Sequence, residues 1–232
     1  MKKVSDFLRG EAAGWQKWEI IWMIFCLAAT GLLSYLLNDT LPGIIAAQTA
    51  LLYTLLAGKG KISCYLFGIV NTVLYGWLSW QNRLYGEVML NWGWYLPMMF
   101  TGLFCWRRHL DDSCIIRKRR LSDRARLHML LLTAVGIVVY AVILRWLNDQ
   151  SPWLDSFTTV VSITAMIMTV RRCLEQWLLW TAVNAVSTVM WLRIYWSSGT
   201  SAALVIMWSI SLANGIIFFL QWYRAVEKSE QR

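Results

Sequence analysis

Five residues at helical spacing are the first candidates for chemistry. Trp177, Trp180, Asn184, Ser187 and Trp191 follow one another in steps of three and four, so a helix carrying them presents one continuous stripe. An amide framed by indole faces suits a flat polar ring, which stacks on an aromatic plane while hydrogen bonds read its edge. The pattern recurs: Phe67, Asn71 and Tyr75 share a face, as do Glu87, Asn91 and Trp94. Asp155, Thr158, Ser162, Ala165 and Thr169 form a further stripe, small and polar.

The elements that must position these residues are membrane helices. Of 232 residues, 58% are hydrophobic and 15% charged, and the apolar residues fall in long runs rather than amphipathic stripes. A crossing helix needs roughly 20 apolar residues, and eight segments come close: 18–37, 43–57, 62–80, 87–106, 127–147, 155–170, 177–196 and 202–222. The sequence thus predicts an all-α integral membrane protein with eight transmembrane helices. Barrel strands would alternate with period two, and these runs do not. Segments two and six are short and polar for membrane spans. The apolar stretch from Trp18 continues to Leu37, which predicts a retained first helix rather than a signal peptide.

On these spans Gln48, Asn71, Asn184 and Asn214 fall near the centres of the second, third, seventh and eighth, and Asn91 about one turn off centre in the fourth. An amide unpaired in lipid costs several kcal/mol, so all five are expected to face the bundle interior. Hydrogen bonding between helices accounts for a single amide. Five near one depth predict the lining of a polar cavity. The chain holds 16 Trp. Belts at the membrane interfaces claim Trp15, Trp18, Trp80, Trp106, Trp146, Trp153, Trp196 and Trp222, but less readily Trp92, Trp94, Trp180, Trp191 or Trp208.

The net charge of +9 would suggest nucleic acid in a soluble protein. Its distribution argues otherwise. Of the 22 Lys and Arg, all but Arg83, Arg145 and Arg193 fall on one side of the eight-span arrangement. By the positive-inside rule that side is cytoplasmic and holds both termini. The run RKRR, 117–120, is read as an ordinary cytoplasmic loop, with anionic lipid or nucleic acid as the alternative. No nucleic-acid partner is expected; the lipid bilayer is.

Catalytic motifs are not found: no P-loop, GxGxxG, HExxH or GxSxG. His109 and His128 are isolated. The carboxylates nearest the spans, Glu19, Glu87, Asp155 and Glu175, stand at helix ends, where Glu87 and Asp155 can simply complement a helix dipole. Without an ionisable group at depth, tight proton coupling is not expected. The cysteines at 26, 64, 105, 114 and 173 form no CxxC pair and have no histidine at ligand spacing. No enzyme, cofactor, metal or disulfide is expected.

A shift of 113 residues places Asn71 on Asn184, Lys59 on Arg172, Gly102 on Gly215 and Phe67 on Trp180. It matches spans two to four with six to eight, and with span five as a single inverting linker the two triplets run parallel. Parallel repeats place a substrate site at the midplane between the halves. The expected organisation is 1–42, N-terminus and extra first helix; 43–106, first three-helix repeat; 107–147, basic loop and linker helix; 148–222, second repeat; and 223–232, cytoplasmic tail.

TVVSITAMIMTVRRCLEQWLLWTAVNAVS (159–187), KISCYLFGIVNTVLYG (61–76) and LYGEVMLNWGWY (84–95) resemble the bacterial PnuC nicotinamide riboside transporters over about residues 43–222. The most specific element is WxxWxxxN, Trp177, Trp180 and Asn184, after a basic pair and Glu175. The resemblance implies a SWEET-like 3+1+3 core, an inner-membrane location, a homo-oligomer of trimeric type, and facilitated diffusion of nicotinamide riboside trapped inside the cell by phosphorylation. It assigns the extra first helix no role. Similar scaffolds carry thiamine, riboflavin or deoxynucleosides, which remain the alternative substrates. For nicotinamide riboside, a desolvated cationic ring over a Trp face gains about 2 kcal/mol. Trp177, Trp180 or Trp94 would stack on it while Asn71, Asn91 and Asn184 bind carboxamide and ribose. Gln48, Tyr75, Glu87, Ser162 and Asn214 complete the expected site.

Overall fold

The computed structural model describes residues 10–83, 85–110, 115–148, 151–198 and 202–231. Cys114, named above, lies outside them, as do Lys2, Lys3, Arg9 and Arg232 of the basic residues counted there. The helices are α1 (Lys17–Leu36), α2 (Leu41–Lys59), α3 (Cys64–Gln81), α5 (Asp123–Trp146), α6 (Pro152–Val170), α7 (Glu175–Ser198) and α8 (Ala202–Glu230), with α4 a continuous run of Tyr85–Val88, Met89–Tyr95 and Leu96–Arg107. Apart from single bridges joining Leu110 to Ile116 and Arg119 to Cys173, the regular structure among the described residues is helical.

Among the described residues five stretches are long and apolar enough to cross a membrane: Lys17–Leu36, Leu41–Lys59, Asp123–Trp146, Pro152–Val170 and Val205–Glu230. The two segments that read as short in sequence are among them, because their caps lie further out than their apolar runs. At the start of α2 the Thr40 hydroxyl accepts from the Gly43 N–H at 3.4 Å and Pro42 occupies the first turn. Its end is a left-handed Gly60, φ 72°, a conformation glycine adopts without steric cost. Pro152 likewise starts α6. Each helix reaches 19 residues.

The chain divides into two compact units, Met1–Arg117 and Lys118–Arg232. In the first, α1 packs on α2, α2 on α3 and α3 on α4. The outward side of α1 shows Ile21, Ile24 and Phe25, while Cys26, Thr30 and Ser34 turn inward. This inversion of the soluble-protein pattern is what lipid as solvent favours, with small residues letting helices approach. Gln48 Nε2 on α2 donates to the Leu27 carbonyl of α1 at 3.2 Å, and Lys59 pairs with the buried Glu19 carboxylate at 2.8 Å. Gly102 of α4 lies against the Tyr65 ring, which meets Trp106 edge-on, centroids 5.0 Å apart.

The second unit repeats this order, with α5 on α6, α6 on α7 and α7 on α8. Ser156 of α6 donates to the Ile137 carbonyl of α5 at 2.5 Å, and the Thr133 and Thr164 hydroxyls bond at 3.2 Å. Gly215 of α8 faces Thr181 of α7, as Gly102 faces Tyr65. In both units the leading helix is bonded to its neighbour by side-chain hydrogen bonds, so α1 is an integral part of its unit.

Candidate substrate-binding residues

In the first unit the candidates gather around an irregularity in α4. Met89–Tyr95 is π-helical, and the Leu96 N–H reaches the Asn91 carbonyl five residues back. The local cause is Pro97. It has no N–H to offer the carbonyl of Gly93, and its ring crowds that carbonyl, so the regular four-residue ladder fails there. Gly93 adds no side chain to resist the wider turn. The π segment turns Asn91 inward, where its Nδ2 donates to the Glu87 carbonyl at 2.9 Å and lies 3.4 Å from the Glu87 carboxylate. Glu87 and Asn91 therefore form one polar group on α4, while Tyr75 of α3 is exposed. Beside it the Trp92 indole donates to the Val73 carbonyl at 3.3 Å and lies on Gly76. The Trp94 indole N–H is buried and has no acceptor among the described residues.

Asn71 and Gln48 engage differently. Asn71 Nδ2 donates to the Ala46 carbonyl of α2 at 2.9 Å, and Gln48 to Leu27 as described. Each links helices while using only one of the amide's donors in that bond.

On α7 of the second unit Trp177 and Ser187 are buried, and Trp180, Asn184 and Trp191 half-buried. Asn184 Nδ2 donates to the Ser211 carbonyl of α8 at 3.0 Å, and its backbone carbonyl accepts from Thr188 at 2.7 Å. The Trp180 indole donates to Thr169 Oγ1 of α6 at 3.3 Å. Trp177 is 3% exposed and is flanked by Phe218 at 5.1 Å and by Trp222, edge-on, at 6.0 Å. Ser162 on α6 and Asn214 on α8 are buried.

Several features were not anticipated. Trp106 and Trp222, expected in an interfacial belt, are fully buried, because Tyr65 and Trp177 supply aromatic edges for them to pack on. Glu19 and Glu175 do more than end helices. The buried Glu175 carboxylate accepts from Arg126 Nε at 2.8 Å and from the Leu121 N–H at 3.2 Å. Nearby Cys173, in the α6–α7 turn, has its thiol pushed up to about 11, chiefly by burial. The π segment left a sequence trace in Gly93 and Pro97 that helical periodicity does not register. Among the described residues no group of three metal-ligating side chains converges.

Residues 40–224 match the family described as nicotinamide mononucleotide transporter, a span that covers the amide-bearing helices of both units. The chain belongs to this family. It is 33% identical to the nicotinamide riboside transporter PnuC of Neisseria mucosa over 93% of this chain and 84% of that one. To the PnuC of Haemophilus influenzae it is 27% identical, over 94% of each. A solved structure, the crystal structure of the vitamin B3 transporter PnuC, superposes with a TM-score of 0.81 at 32% identity, covering 96% of this chain and 97% of that one. Family membership makes the chain a multi-pass membrane transporter of the PnuC type and not an enzyme.

Proposed function

We propose that the chain carries nicotinamide riboside across the bacterial inner membrane by facilitated diffusion. The observation that carries this reading is the chemistry of the candidate residues: three indoles, five amides, a tyrosine, a serine and one carboxylate, with no lysine or arginine. A mononucleotide would bring a phosphate, for which a site normally supplies cations or helix N-termini. A riboside asks only for an aromatic face, amides for carboxamide and hydroxyls, and weak attraction for the pyridinium charge. Glu87 supplies that attraction from the edge of the group, and the relatives' names point to the same compound.

In this reading eight transmembrane helices form a 3+1+3 core preceded by α1, both termini are cytoplasmic, and the substrate sits at midplane. Trp177 is already packed by Phe218 and Trp222, which favours Trp180 and Trp94 as the ring's partners. The Trp94 N–H takes its missing acceptor from the ribose or carboxamide. Asn71, Asn91 and Asn184 use their remaining donors and their oxygens, and Gln48, Tyr75, Ser162 and Asn214 complete the lining. No buried charge holds the cation, so it leaves as readily as it enters. Phosphorylation in the cytoplasm retains it. The working form is a homo-oligomer of trimeric type.

Calorimetric titration of the purified protein with nicotinamide riboside, with nicotinamide mononucleotide, thiamine, riboflavin and a deoxynucleoside in parallel, tests the substrate. Saturable binding of the riboside alone supports it, and binding of another compound in its place reassigns the cargo. Uptake into proteoliposomes without an imposed ion gradient tests the mechanism. A requirement for a proton or sodium gradient would overturn facilitated diffusion.

A further inference from the structure

The second unit holds a crevice whose lining includes none of the candidate amides. It has a volume of about 290 Å³ and opens between α5, α7 and the last turns of α8. This is at the small end of small-molecule pockets, roughly 300–1,000 Å³. Its wall is apolar, with Leu130, Leu178 and Phe219. Leu130 and Leu178 are exposed, as are Leu127, Leu131 and Leu132 on the same helix as Leu130, so the wall continues into a face suited to lipid chains. At the mouth stand Arg120, Arg126 and Tyr223.

The two arginines are held differently. Arg126 is fixed by Glu175 through Nε and by Asp123 through Nη1, 3.1 Å away, and remains 26% exposed. Arg120 is exposed on the loop before α5, close enough to act on the Tyr223 hydroxyl, which bonds to Glu227. Glu175 lines the crevice, and Asp123 and Glu227 bond to its Arg126 and Tyr223. Along the chain the two arginines stand in a basic stretch, with Arg117, Lys118 and Arg119 before Arg120 and Arg124 just before Arg126. Basic clusters next to a membrane-spanning helix attract anionic lipid.

We infer that this crevice binds one anionic phospholipid, its phosphate at Arg120 and Arg126 and the start of its acyl chains along Leu130, Leu178 and Phe219. The juxtaposition of guanidinium groups with an apolar wall that runs on to a lipid-facing helix distinguishes a lipid from a soluble anion, which needs only the rim. The site gives the run RKRR, residues 117–120, a function beyond orienting the chain.

The test is native mass spectrometry of the full-length protein released from micelles supplied with equal amounts of phosphatidylglycerol and phosphatidylcholine. The expected result is one retained phosphatidylglycerol per chain in preference to phosphatidylcholine. Arg120→Ala should lower retention about fivefold, the effect of one cation at a membrane surface. Leu130→Trp, which fills the wall and leaves both arginines, should lower it similarly, and Arg83→Ala should leave it unchanged. Circular dichroism and the thermal midpoint identify any variant that fails to fold; the lipid preference of the wild type decides the matter without variants. Equal retention of the two lipids, or loss on Arg120→Ala but not on Leu130→Trp, would overturn the inference. So would displacement of phosphatidylglycerol by millimolar inorganic phosphate, which would mark a site for the free anion.

Discussion

Asn71 and Asn184 stand 113 positions apart and make the same kind of bond to different neighbours. Asn71 donates to the Ala46 carbonyl of α2, the helix before its own, and Asn184 to the Ser211 carbonyl of α8, the helix after. One amide motif therefore ties its helix to a different neighbour in each unit.

The Asn184→Ala substitution should weaken nicotinamide riboside binding about tenfold in calorimetric titration, since a hydrogen bond to a neutral group is worth about 1 ± 0.5 kcal/mol and the Ser211 carbonyl also loses its partner. Trp94→Phe should cost less, about fivefold, because it keeps an aromatic face and removes only the N–H. Unchanged affinity in both variants would remove these residues from the site.

Replacing Pro97 by Ala restores the donor missing from the ladder beneath Gly93. We expect Met89–Tyr95 to revert to α-helix, a one-residue register change that turns the preceding segment by about 100°. Asn91, Trp92 and Trp94 would move together relative to Tyr75. The structure of the variant should show a bond from residue 97 N–H to the Gly93 carbonyl, and its riboside affinity should fall at least as far as that of Asn184→Ala.

Glu175→Ala should lower the stability of the purified protein by about 3 kcal/mol, the low end for removing one partner of a buried pair, because Arg126 keeps some solvent. Thermal unfolding in detergent measures it. A shift within error of wild type would mean that Arg126 and the Leu121 N–H find water instead.

Cys173 makes stability sensitive to alkaline pH. Its folded pKa, about 11, lies above the ordinary thiol value of 9.0, so the folded protein binds this proton more tightly than the unfolded chain. The stabilisation is complete below about pH 9 and is lost as pH rises to about 11. Cys173→Ala should therefore flatten the fall of the thermal midpoint between pH 9 and 11 relative to wild type. Alkylation of Cys173 at pH 8 should be slow, because little thiolate is present.

Gly102→Ala and Gly215→Ala should each destabilise by about 1–3 kcal/mol, the usual cost of overpacking. A Cβ at 102 would come within 2.2 Å of the Tyr65 ring, and one at 215 within 2.6 Å of Thr181 Oγ1. The first should cost more, since Tyr65 is held against Trp106 whereas a hydroxyl can rotate away. Thermal midpoints of the two variants in one detergent give the comparison.

The all-helical, membrane-spanning character of the chain was legible in the sequence because it follows from the length of the apolar runs. The acceptors chosen by Asn71, Gln48 and Asn184 were not, since they are backbone carbonyls and every residue carries one. Trp177 and Trp222 show a second limit: both read as exposed or stacking indoles until α7 and α8 are placed together. The π segment escaped because Pro97 acts on a carbonyl four residues before it, an effect that tallies of apolar residues do not contain.

The bond between Glu19 and Lys59 bears on how short a working carrier can be made. Trimming the chain to its repeated core would delete α1 and leave an ammonium at the end of α2, only 14% exposed in the intact fold, without its counter-charge; Gln48 would lose its acceptor at the same time. A minimal version would have to replace Lys59 and Gln48 with apolar residues in the same step, and a tag is better attached ahead of Gly10, whose carbonyl receives the Lys61 ammonium at 2.6 Å.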